Sequence, residues 1–573
     1  MGNLFNYLKN LSYQQLAYLL IGLTVLVYSN GLFGEFLSDD RQQVLENSVV
    51  HSFSNFFTFF KGSTFDTGGG TLTGLFYRPL QTIYFSLLWN IFGAHPFFFH
   101  LFQLVFHIIN GLLVFFIFRH CFSKVLAFFL SLIFMIHPMN VETVSYVSSS
   151  GIVLSFLFGL LAFRIVIRNS TRTTDYAFLS GFLLLAVLSH EIGFLFIPLI
   201  LSFKFLYERR RLFPYFISSM TVATVYAFLR LGVAHIYFPH VSQSPIMTLP
   251  LIERLLHIPK ILFSYFSTFL FPIHLSFSQI WTIPQVDFSS FYLPLTILLL
   301  LIMGGSIFLY HLHRSKSNEF VLATFFTAWL LIGLALFIQI IPAEQTVSER
   351  WFYFPMVGLL GLGGVLVQDF SLKRSQNLKT PLVILVSIVV VIWSIRSIIR
   401  NNNWSDEFTL AAHDIKYDSN NYILANSLGA EYLRRGDAKN AVSFLEESSS
   451  QFADAQTLSN LGVAYLMLGD YAKSKEALQK SMAINELSIA VTNMAWLLAT
   501  KGDPVEAETF IQGKLEKYPD IWKLWMNLAI AKYKIGKKDE ALQAAKRAYS
   551  LSQNGETSYL YNQISKDLPL TID

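Results

Sequence analysis

Residues 99–118 read FHLFQLVFHIINGLLVFFIF and contain no Asp, Glu, Lys or Arg. A helix needs about 20 apolar residues to cross a bilayer, and this stretch supplies that length. Arg119 follows it directly, where a cationic residue commonly marks the membrane boundary. The stretch therefore predicts a transmembrane helix.

Ten more apolar stretches flank this one, so we expect eleven spans in all. They lie at 13–30, 125–137, 145–165, 176–189, 192–206, 213–231, 291–311, 320–341, 353–368 and 380–398. The first follows Lys9 as a secretory signal peptide would, but Tyr28-Ser29-Asn30 lacks the small residues of a cleavage site. We therefore interpret 13–30 as a retained helix.

Basic residues fall in alternate loops between these spans, as the positive-inside pattern requires. They are Lys9, Arg119 with Lys124, Arg164 with Arg168 and Arg172, Lys204 with Arg209 to Arg211, Arg314 with Lys316, and Lys373 with Arg374. The alternation requires that two amphipathic stretches, 77–93 and 253–273, lie along the outer face or re-enter it. Eleven spans then place both the loop 31–76 and the C-terminal tail outside the cytosol.

The composition of the chain changes near residue 403. Residues 1–403 hold 24 Lys and Arg and 15 Asp and Glu, whereas residues 404–573 hold 18 and 22. Ordinary globular chains carry about 25% charged residues, so the 14% of the whole chain excludes a single soluble enzyme. The net charge of +5 arises from the membrane half and does not indicate nucleic-acid binding. We expect a membrane domain, 1–403, and a soluble domain, 404–573.

The soluble tail repeats itself every 33 or 34 residues. Three sets of positions recur in phase: Leu428, Leu461, Met494 and Leu528; Gly436, Gly469, Gly502 and Gly536; and Ala441, Ser474, Ala507 and Ala541. Small residues suit the close crossing of two helices, and glycine suits the turn between them. The tail therefore resembles four tetratricopeptide repeats, which stack into an α-solenoid.

In three repeats an asparagine directly precedes the recurring Leu or Met, at Asn460, Asn493 and Asn527. Solenoids of this kind form concave surfaces that bind other proteins, so the three amides are candidates for binding the backbone of an acceptor peptide. The alternative, which we favour, is that they hydrogen-bond neighbouring helices of the array.

Charged residues at the membrane boundary are costly, so each is a candidate functional residue. The first are Asp39 and Asp40, soon after the first span. Mutual repulsion and partial burial raise the pKa of one carboxyl of such a pair toward the working pH, as a general base requires. The alternative is a solvated loop or a helix cap.

Four more polar segments lie on the same predicted face. They contain Arg78 before Pro79, His137 with Glu142, His190 with Glu191, and Glu349 with Arg350 and Tyr353. An arginine at the headgroup level can hold a phosphate through two hydrogen bonds, so Arg78 and Arg350 are candidates for binding a lipid phosphate. The alternatives are that both side chains extend to the interface and that Arg350 pairs with its neighbour Glu349.

No metal or other cofactor is expected. His137 and His190 lack the spacing of metal ligands, so orienting roles are favoured for them, and the sole cysteine, Cys121, excludes both a disulfide within the chain and a cysteine cluster. Asp39, Asp40 and Glu142 remain a less favoured set for a divalent ion on a carrier phosphate.

The order of these segments points to a family. An acidic pair follows the first span, then come an Arg-Pro-Leu helix, a His-Pro-x-x-x-Glu segment, an x-Glu-x-Gly turn, a Glu-Arg-x-x-Tyr-x-Pro segment, Trp404 and the repeats. This arrangement resembles the transmembrane and tetratricopeptide-repeat family of protein O-mannosyltransferases over nearly the whole chain. The resemblance implies an all-α fold, with a polytopic membrane domain of the GT-C glycosyltransferase type followed by the repeat solenoid.

The resemblance also implies an inverting transfer of one sugar from a polyprenyl- or dolichyl-phosphate donor to Ser or Thr of a protein outside the cytosol. Asp39 or Asp40 would take the hydroxyl proton, and Arg350 would stabilise the departing phosphate. Glu142 and Glu191 would orient donor or acceptor.

Two departures from the family pattern leave the sugar open, as mannose or another hexose. Ser149-Ser150-Gly151-Ile152 stand where the family has Gly-Arg-Ala-Asp, and His190 stands where it has lysine. Two other functions stay open: a glycosyltransferase whose acceptor is a glycan or lipid, and a membrane-anchored scaffold without enzymatic activity. The expected location is a bacterial inner membrane, with the acidic pair and the repeats facing the periplasm.

Overall fold

The computed structural model describes residues 2–66, 72–168, 172–237, 244–283, 285–315, 319–373 and 379–570, so that the basic residues Lys316 and Arg374 lie outside the described residues. The chain forms two compact units, and the boundary before the repeats lies between Tyr417 and Asp418. The helix Glu407–Asp414 therefore belongs to the membrane unit, beyond the boundary at 403 that composition suggests.

The membrane unit is helical in nearly every described segment. Its longer helices are Gly2–Asn10, Tyr13–Tyr28, Pro79–Phe92, Pro96–Cys121, Lys124–Ile136, Ser150–Ile167, Thr173–Ser189, Phe196–Tyr207, Leu212–Ala227, Leu251–Leu270, Leu293–Arg314, Glu319–Ala335, Tyr353–Lys373, Lys379–Asn403 and Glu407–Asp414. Helical turns lie at Ser29–Phe33, Arg41–Leu45, Phe53–Asn55, Thr58–Phe60, Pro138–Asn140, Val141–Ser145, Val147–Ser149, Glu191–Leu195, Arg209–Arg211, Phe228–Val233, Pro245–Thr248, Phe288–Tyr292 and Glu349–Phe352. Two strands of two residues each lie at Phe65–Asp66 and Leu72–Thr73.

Each of the eleven predicted spans lies largely in a helix, but eleven crossings are not confirmed. Among the described residues, seven helices are long and apolar enough to cross a membrane: Tyr13–Phe33, Pro96–Cys121, Val147–Ile167, Leu212–Val233, Phe288–Arg314, Glu349–Asp369 and Val383–Asn403. Lys124–Ile136 and Pro138–Ser145 add an eighth if this pair, bent by 46°, is one span. The other three predicted spans form helices shorter than the roughly 20 residues that a crossing needs. The chain is a multi-pass membrane protein.

The first span, Tyr13–Phe33, packs against the rest of the membrane unit. The side-chain amide of Asn401 donates a hydrogen bond to the Val27 carbonyl at 2.8 Å, and that of Asn30 donates to the Ile398 carbonyl at 2.8 Å. These amides join the C-terminal end of the first span, Tyr13–Phe33, to the last span, Val383–Asn403. The position of the loop that carries Asp39 and Asp40 is thereby fixed at its start.

The two amphipathic stretches form the helices Pro79–Phe92 and Leu251–Leu270. Pro79 occupies the first helical turn, where its missing N–H leaves no hydrogen bond unmade, and Arg78 is held just before it. The second helix is tied down near both ends, because Arg254 donates to the Gln339 carbonyl at 3.0 Å and Arg396 donates to the Pro272 carbonyl at 3.0 Å.

The second unit contains the predicted helix pairs. The helices are Tyr422–Arg434, Ala438–Gln451, Ala455–Met467, Tyr471–Ile484, Ser488–Lys501, Pro504–Leu515, Trp522–Ile535 and Lys538–Leu551, followed by Gly555–Ser565. Gly462 lies where two helices of a pair cross, and a Cβ there would lie 2.6 Å from Leu478 Cγ. The predicted combination of membrane helices and repeats is confirmed.

Three of the four predicted turn glycines have the left-handed conformation that favours glycine. Their φ angles are +78° at Gly436, +79° at Gly469 and +91° at Gly536. Gly502 differs, with a φ of −102°. Because Pro504 directly begins the next helix after the Asp503 cap, this turn is closed without a left-handed residue.

Candidate active site

The polar segments predicted to share one face meet in the membrane unit, around Asp39. This residue lies in the loop after the first span, and its carboxyl is within electrostatic range of Arg350 and Arg78. Its backbone N–H donates to the Tyr146 hydroxyl at 3.2 Å. Ser38, immediately before it, has a φ of +46°, a conformation that costs energy for a residue with a side chain and that concentrates at functional sites.

Asp40 anchors the loop. One of its oxygens accepts hydrogen bonds from the Ser148 N–H at 2.6 Å and the Ser148 hydroxyl at 2.5 Å, and the other accepts from the Leu37 N–H at 3.1 Å. The side chain is fully buried. Burial raises the pKa of Asp40 to about 7, against these hydrogen bonds, which lower it. Both oxygens are thus occupied by the protein itself.

Asp39 differs from Asp40 because the residue is partly exposed, whereas Asp40 is fully buried. Burial raises the pKa of Asp39 above its ordinary value, although the charges of Arg350 and Arg78 and a hydrogen bond from Tyr146 oppose the rise. A carboxyl in such surroundings retains its proton to a higher pH than a solvated one and is a stronger base once ionised.

Arg350 is held by Glu142. Its terminal nitrogen lies 2.6 Å from Glu142 Oε1, and its backbone N–H donates to Glu142 Oε2 at 3.0 Å. The Ser348 hydroxyl donates to the same carboxylate at 3.2 Å. Glu142 is fully buried, whereas the Arg350 side chain is 20% exposed. The carboxylate therefore orients a guanidinium whose charge acts on Asp39.

Glu349, the sequence neighbour of Arg350, is not the partner of this arginine. It is buried and accepts a hydrogen bond from the Ser276 N–H at 2.6 Å through Oε1. Its second oxygen, Oε2, has no hydrogen-bond partner among the described residues. The expected alternative, that Arg350 pairs with Glu349, is wrong because successive residues of a helical turn point in different directions.

Arg78 is oriented in the same way, by Glu191. The two side chains form an ion pair of 2.9 Å, and the guanidinium also lies 4.5 Å from the centre of the Phe76 ring. Burial raises the pKa of Glu191, but the charge of Arg78, the neighbouring His190 and hydrogen bonds from Arg78 and the backbone together outweigh burial and lower this pKa to about 2. Arg78 and Arg350 are thus two cations, each fixed by a carboxylate, within electrostatic range of Asp39.

His190 is an uncharged positioning residue in the same region. Its Nδ1 accepts a hydrogen bond from the Ile192 N–H at 3.1 Å. Burial, together with the charge of Arg78, lowers the pKa of His190 to about 3. The imidazole is therefore neutral, and its 3.5 Å approach to Glu191 is not an ion pair.

Two predicted site residues, His137 and Tyr353, lie inside the helical core instead. His137 stacks on Phe269 and shares a 2.9 Å hydrogen bond with the Phe269 carbonyl. The Tyr353 hydroxyl lies 2.8 Å from His107 Nδ1 and accepts from the Asn110 amide at 3.2 Å. Both are fully buried, so they join helices of the core and do not lie beside Asp39.

Sequence reasoning missed the ion pair of Arg400 and Asp414. The guanidinium donates to both carboxylate oxygens, at 2.6 and 3.0 Å, and both side chains are fully buried. Asp414 also accepts from the Phe277 N–H at 2.9 Å. A lone arginine at the end of an apolar span was the available signal, because such a residue needs a partner. Tyr146 was missed as well, since a tyrosine among apolar residues carries no distinctive pattern.

Most of the carboxylates of this region are engaged by other groups of the protein. Among the described residues there is no group of three or more His, Cys, Asp and Glu side chains placed to hold an ion. Glu142 is engaged by Arg350, and Asp40 by Ser148 and Leu37. Because the oxygens of Asp40 and Glu142 already have protein partners, a divalent ion at Asp39, Asp40 and Glu142 stays the less favoured prediction.

The three asparagines of the repeats are not equivalent. Asn460 donates to the Asn426 side chain of the preceding repeat at 3.0 Å, and Asn527 is buried and lies 3.4 Å from the Thr492 carbonyl. Asn493 is partly exposed. The first two placements accord with the bonding between neighbouring repeats that we favour, whereas binding of an acceptor peptide stays a prediction for this row.

Comparisons with known proteins identify the relatives of the chain. Residues 455–487 match a family model described as tetratricopeptide repeat. Over 94% of its length the chain is 23% identical to protein O-mannosyl-transferase TMTC3 of Homo sapiens, and over 74% it is 22% identical to protein O-mannosyl-transferase F38B6.6 of Caenorhabditis elegans. Its homologues are TMTC-type protein O-mannosyl-transferases. The resemblance predicted from the order of the polar segments is thereby confirmed.

The chain covers 64% and 61% of the length of these two relatives, so it matches less than two thirds of either. A shorter match to protein O-mannosyl-transferase TMTC1 of Homo sapiens is 33% identical over 26% of the chain. Solved structures similar to parts of the chain include MamA, with 21% identity over 25% of the chain and a TM-score of 0.24, and the TPR protein YrrB, with 17% over 28% and a TM-score of 0.25. Scores this low add nothing to the assignment.

Proposed function

We propose that the chain is a membrane glycosyltransferase that moves a sugar, mannose or another hexose, from a polyprenyl-phosphate donor to a Ser or Thr hydroxyl of a protein. The single observation that carries this proposal is the carboxyl of the partly exposed Asp39 within electrostatic range of the two fixed guanidiniums of Arg350 and Arg78. A base next to two phosphate-binding cations is what the transfer of a sugar from a phosphate requires.

Asp39 is the general base in this mechanism, and Asp40 is its positioning residue. A base must reach the hydroxyl that it deprotonates. Asp39 is partly exposed, whereas Asp40 is fully buried with both oxygens hydrogen-bonded. The raised pKa of Asp39 suits the task, because a carboxylate in low-dielectric surroundings is a better proton acceptor.

The reaction is a single displacement. The acceptor oxygen attacks the anomeric carbon of the sugar, its proton passes to Asp39, and the bond from that carbon to the phosphate oxygen breaks. The electron pair leaves with the lipid phosphate, and attack from the opposite side inverts the anomeric configuration. Arg350 and Arg78 stabilise the charge that develops on the phosphate, and Glu142 and Glu191 keep both arginines in place.

The relatives and the repeats support a protein acceptor. The homologues are named protein O-mannosyl-transferases, and the second unit is a tetratricopeptide-repeat array of the kind that binds other proteins. We place the candidate active site and the repeats on the extracytoplasmic side, because basic residues occupy the alternate loops. In a bacterial inner membrane, both would face the periplasm.

The test compares envelope proteins by mass spectrometry in cells that express the wild-type chain, Asp39→Asn or Asp175→Asn. Asp39→Asn is expected to reduce transfer about 10²–10⁴-fold, so a sugar mass disappears from Ser and Thr peptides, and that mass identifies the sugar. Asp175→Asn, near the start of the helix Thr173–Ser189, is the matched control and should change nothing. A full rate in Asp39→Asn would show that the base is wrong, and loss of a glycolipid in place of peptide glycans would move the acceptor to a lipid.

A further inference from the structure

A cavity of about 320 Å³ lies between helices of the membrane unit, away from the residues just described. Most of its wall is apolar, formed by Ile117, Phe163, Ile167, Phe203, Leu322 and Phe325. This volume falls in the range of small-molecule sites in proteins. The proposed transferase mechanism does not use this cavity.

The cavity lies at the opposite end of the helices from Asp39. Its wall includes Cys121, Ile167 and Gln368, near the C-terminal ends of the helices Pro96–Cys121, Ser150–Ile167 and Tyr353–Lys373. The N-terminal ends of the last two hold Ser148 and Arg350 at the candidate active site. A helix of 18 residues such as Ser150–Ile167 is about 27 Å long, so the cavity faces the other leaflet.

Three basic side chains lie against one aromatic ring, that of Phe116, beside this cavity. The guanidinium carbons of Arg119 and Arg164 lie 4.6 and 5.0 Å from the centre of the Phe116 ring, and the His120 ring lies 4.6 Å from it. His120 also forms part of the cavity wall. The imidazole therefore connects the basic cluster directly to the apolar space.

Arg119 and Arg164 have no carboxylate partner among the described residues, and the Nε of Arg164 is buried without a hydrogen bond. By contrast, Arg78, Arg350 and Arg400 of the same unit each pair with a carboxylate, and Arg254 and Arg396 donate to backbone carbonyls. Extension of a side chain to the membrane surface accounts for an exposed cation, but not for a buried N–H donor that lacks an acceptor. The cluster is thus suited to an anion from outside the protein.

We propose that this cavity binds an anionic phospholipid, with an acyl chain against the apolar wall and the phosphate on Arg119 and Arg164. Arginine is the side chain best suited to a phosphate, and basic pockets between transmembrane helices bind anionic headgroups. Glu319 forms part of the wall as well, and its charge disfavours a phosphate on that side. The headgroup therefore lies on the side of His120.

Lipid binding to the purified full-length protein tests this proposal. Native mass spectrometry counts bound phosphatidylglycerol and phosphatidylcholine on the wild-type chain and on the Arg119→Gln/Arg164→Gln variant. Wild-type protein is expected to retain phosphatidylglycerol in preference to phosphatidylcholine, and each arginine removed should weaken that retention about fivefold. Arg314→Gln is the matched control, because Arg314 also ends a helix and lies 5.6 Å from the centre of an aromatic ring, that of Tyr310.

Equal retention of the two lipids by the wild-type protein would overturn the proposal. An equal loss in Arg314→Gln would do so as well, since it would show general attraction to a basic surface. Competition by inorganic phosphate at millimolar concentration would show that the site takes a free anion instead of a lipid.

A second measurement needs no substitution. Cys121 is the sole cysteine of the chain and lies in the cavity wall, so its alkylation by N-ethylmaleimide reports on occupancy. Phosphatidylglycerol in the detergent micelle should slow this alkylation several-fold in comparison with phosphatidylcholine. An unchanged rate would place the lipid elsewhere, even if the arginine variant failed to fold.

Discussion

The two units of this chain bury their polar groups in different ways. In the membrane unit, buried charges are paired between segments distant in sequence, such as Arg350 with Glu142 and Asp40 with Ser148. In the repeat unit, most buried positions are apolar or small, and Asp437 and Asp470 cap the helices that follow them, although Glu508 and Lys532 form a buried pair of charges. The membrane unit therefore depends on a few specific pairs, whereas the repeat unit depends mainly on a local pattern that recurs.

The largest effect is expected for Arg400→Met, which removes one member of a fully buried ion pair. Asp414 would be left as a buried carboxylate without its arginine, still hydrogen-bonded to the Phe277 N–H and His413. Breaking a buried ion pair in this way costs about 3–5 kcal/mol. Thermal unfolding of the purified full-length protein in detergent measures the loss. The double variant Arg400→Met/Asp414→Leu should recover much of it, because no unpaired charge remains. A double variant as unstable as Arg400→Met would show that packing, and not charge, holds this region together.

The comparison also explains what the sequence predicted. The spacing of 33 or 34 residues identifies the repeats because each unit buries the same small positions, as Gly462 against Leu478 shows. Apolar runs in the sequence located the membrane helices, but they did not give the number of membrane crossings. Thr173–Ser189 and Glu319–Ala335 are helices too short to be counted as spans by length, and an apolar run does not reveal where its helix ends.

The site was predicted in part for the same reason. Charges at the membrane boundary pointed to Asp39, Arg78, Glu142, Glu191 and Arg350, and the structure brings them together. The sequence did not assign their partners, since contact between Arg350 and Glu142 depends on the packing of helices 208 residues apart. Tyr353 has the right motif and yet lies in the core, because a motif does not state the direction of each side chain.

Substitutions of two glycines sharpen the comparison within the repeat unit. Gly462→Ala is expected to destabilise the full-length protein by about 1 kcal/mol, because overpacking costs about 1–3 kcal/mol and alanine returns about 1 kcal/mol of helix propensity. Gly513→Ala, in the helix Pro504–Leu515 where a Cβ would meet nothing within 4 Å, should instead stabilise it by about 0.5–1 kcal/mol. Hydrogen exchange of the repeat helices measures both. The same sign for the two variants would contradict the close crossing at Gly462.

The pH dependence of transfer tests how the neighbouring arginines affect the pKa of Asp39. Asp39 acts as a base only when ionised, so kcat/KM falls as the pH drops through its pKa, which lies above the ordinary value. Arg350→Gln removes a charge that lowers this pKa, so the pKa rises and the acidic limb moves to higher pH, by about one unit. Arg78→Gln should move it in the same direction by less, and Arg314→Gln should leave it in place. A limb that stays fixed in Arg350→Gln would separate Arg350 from the base.

The smallest effect is expected for Lys475→Met, on the surface of the repeats. Lys475 lies 2.7 Å from Glu506, but the two side chains are 37% and 47% exposed. Water solvates both charges after the pair is broken, so the free energy of unfolding should fall by less than about 1 kcal/mol. Hydrogen exchange of the two helices concerned measures this change at low and at high salt, where it should shrink further. A loss as large as that of Arg400→Met would mean that the repeat unit, too, depends on specific charge pairs, and the contrast between the units would not hold.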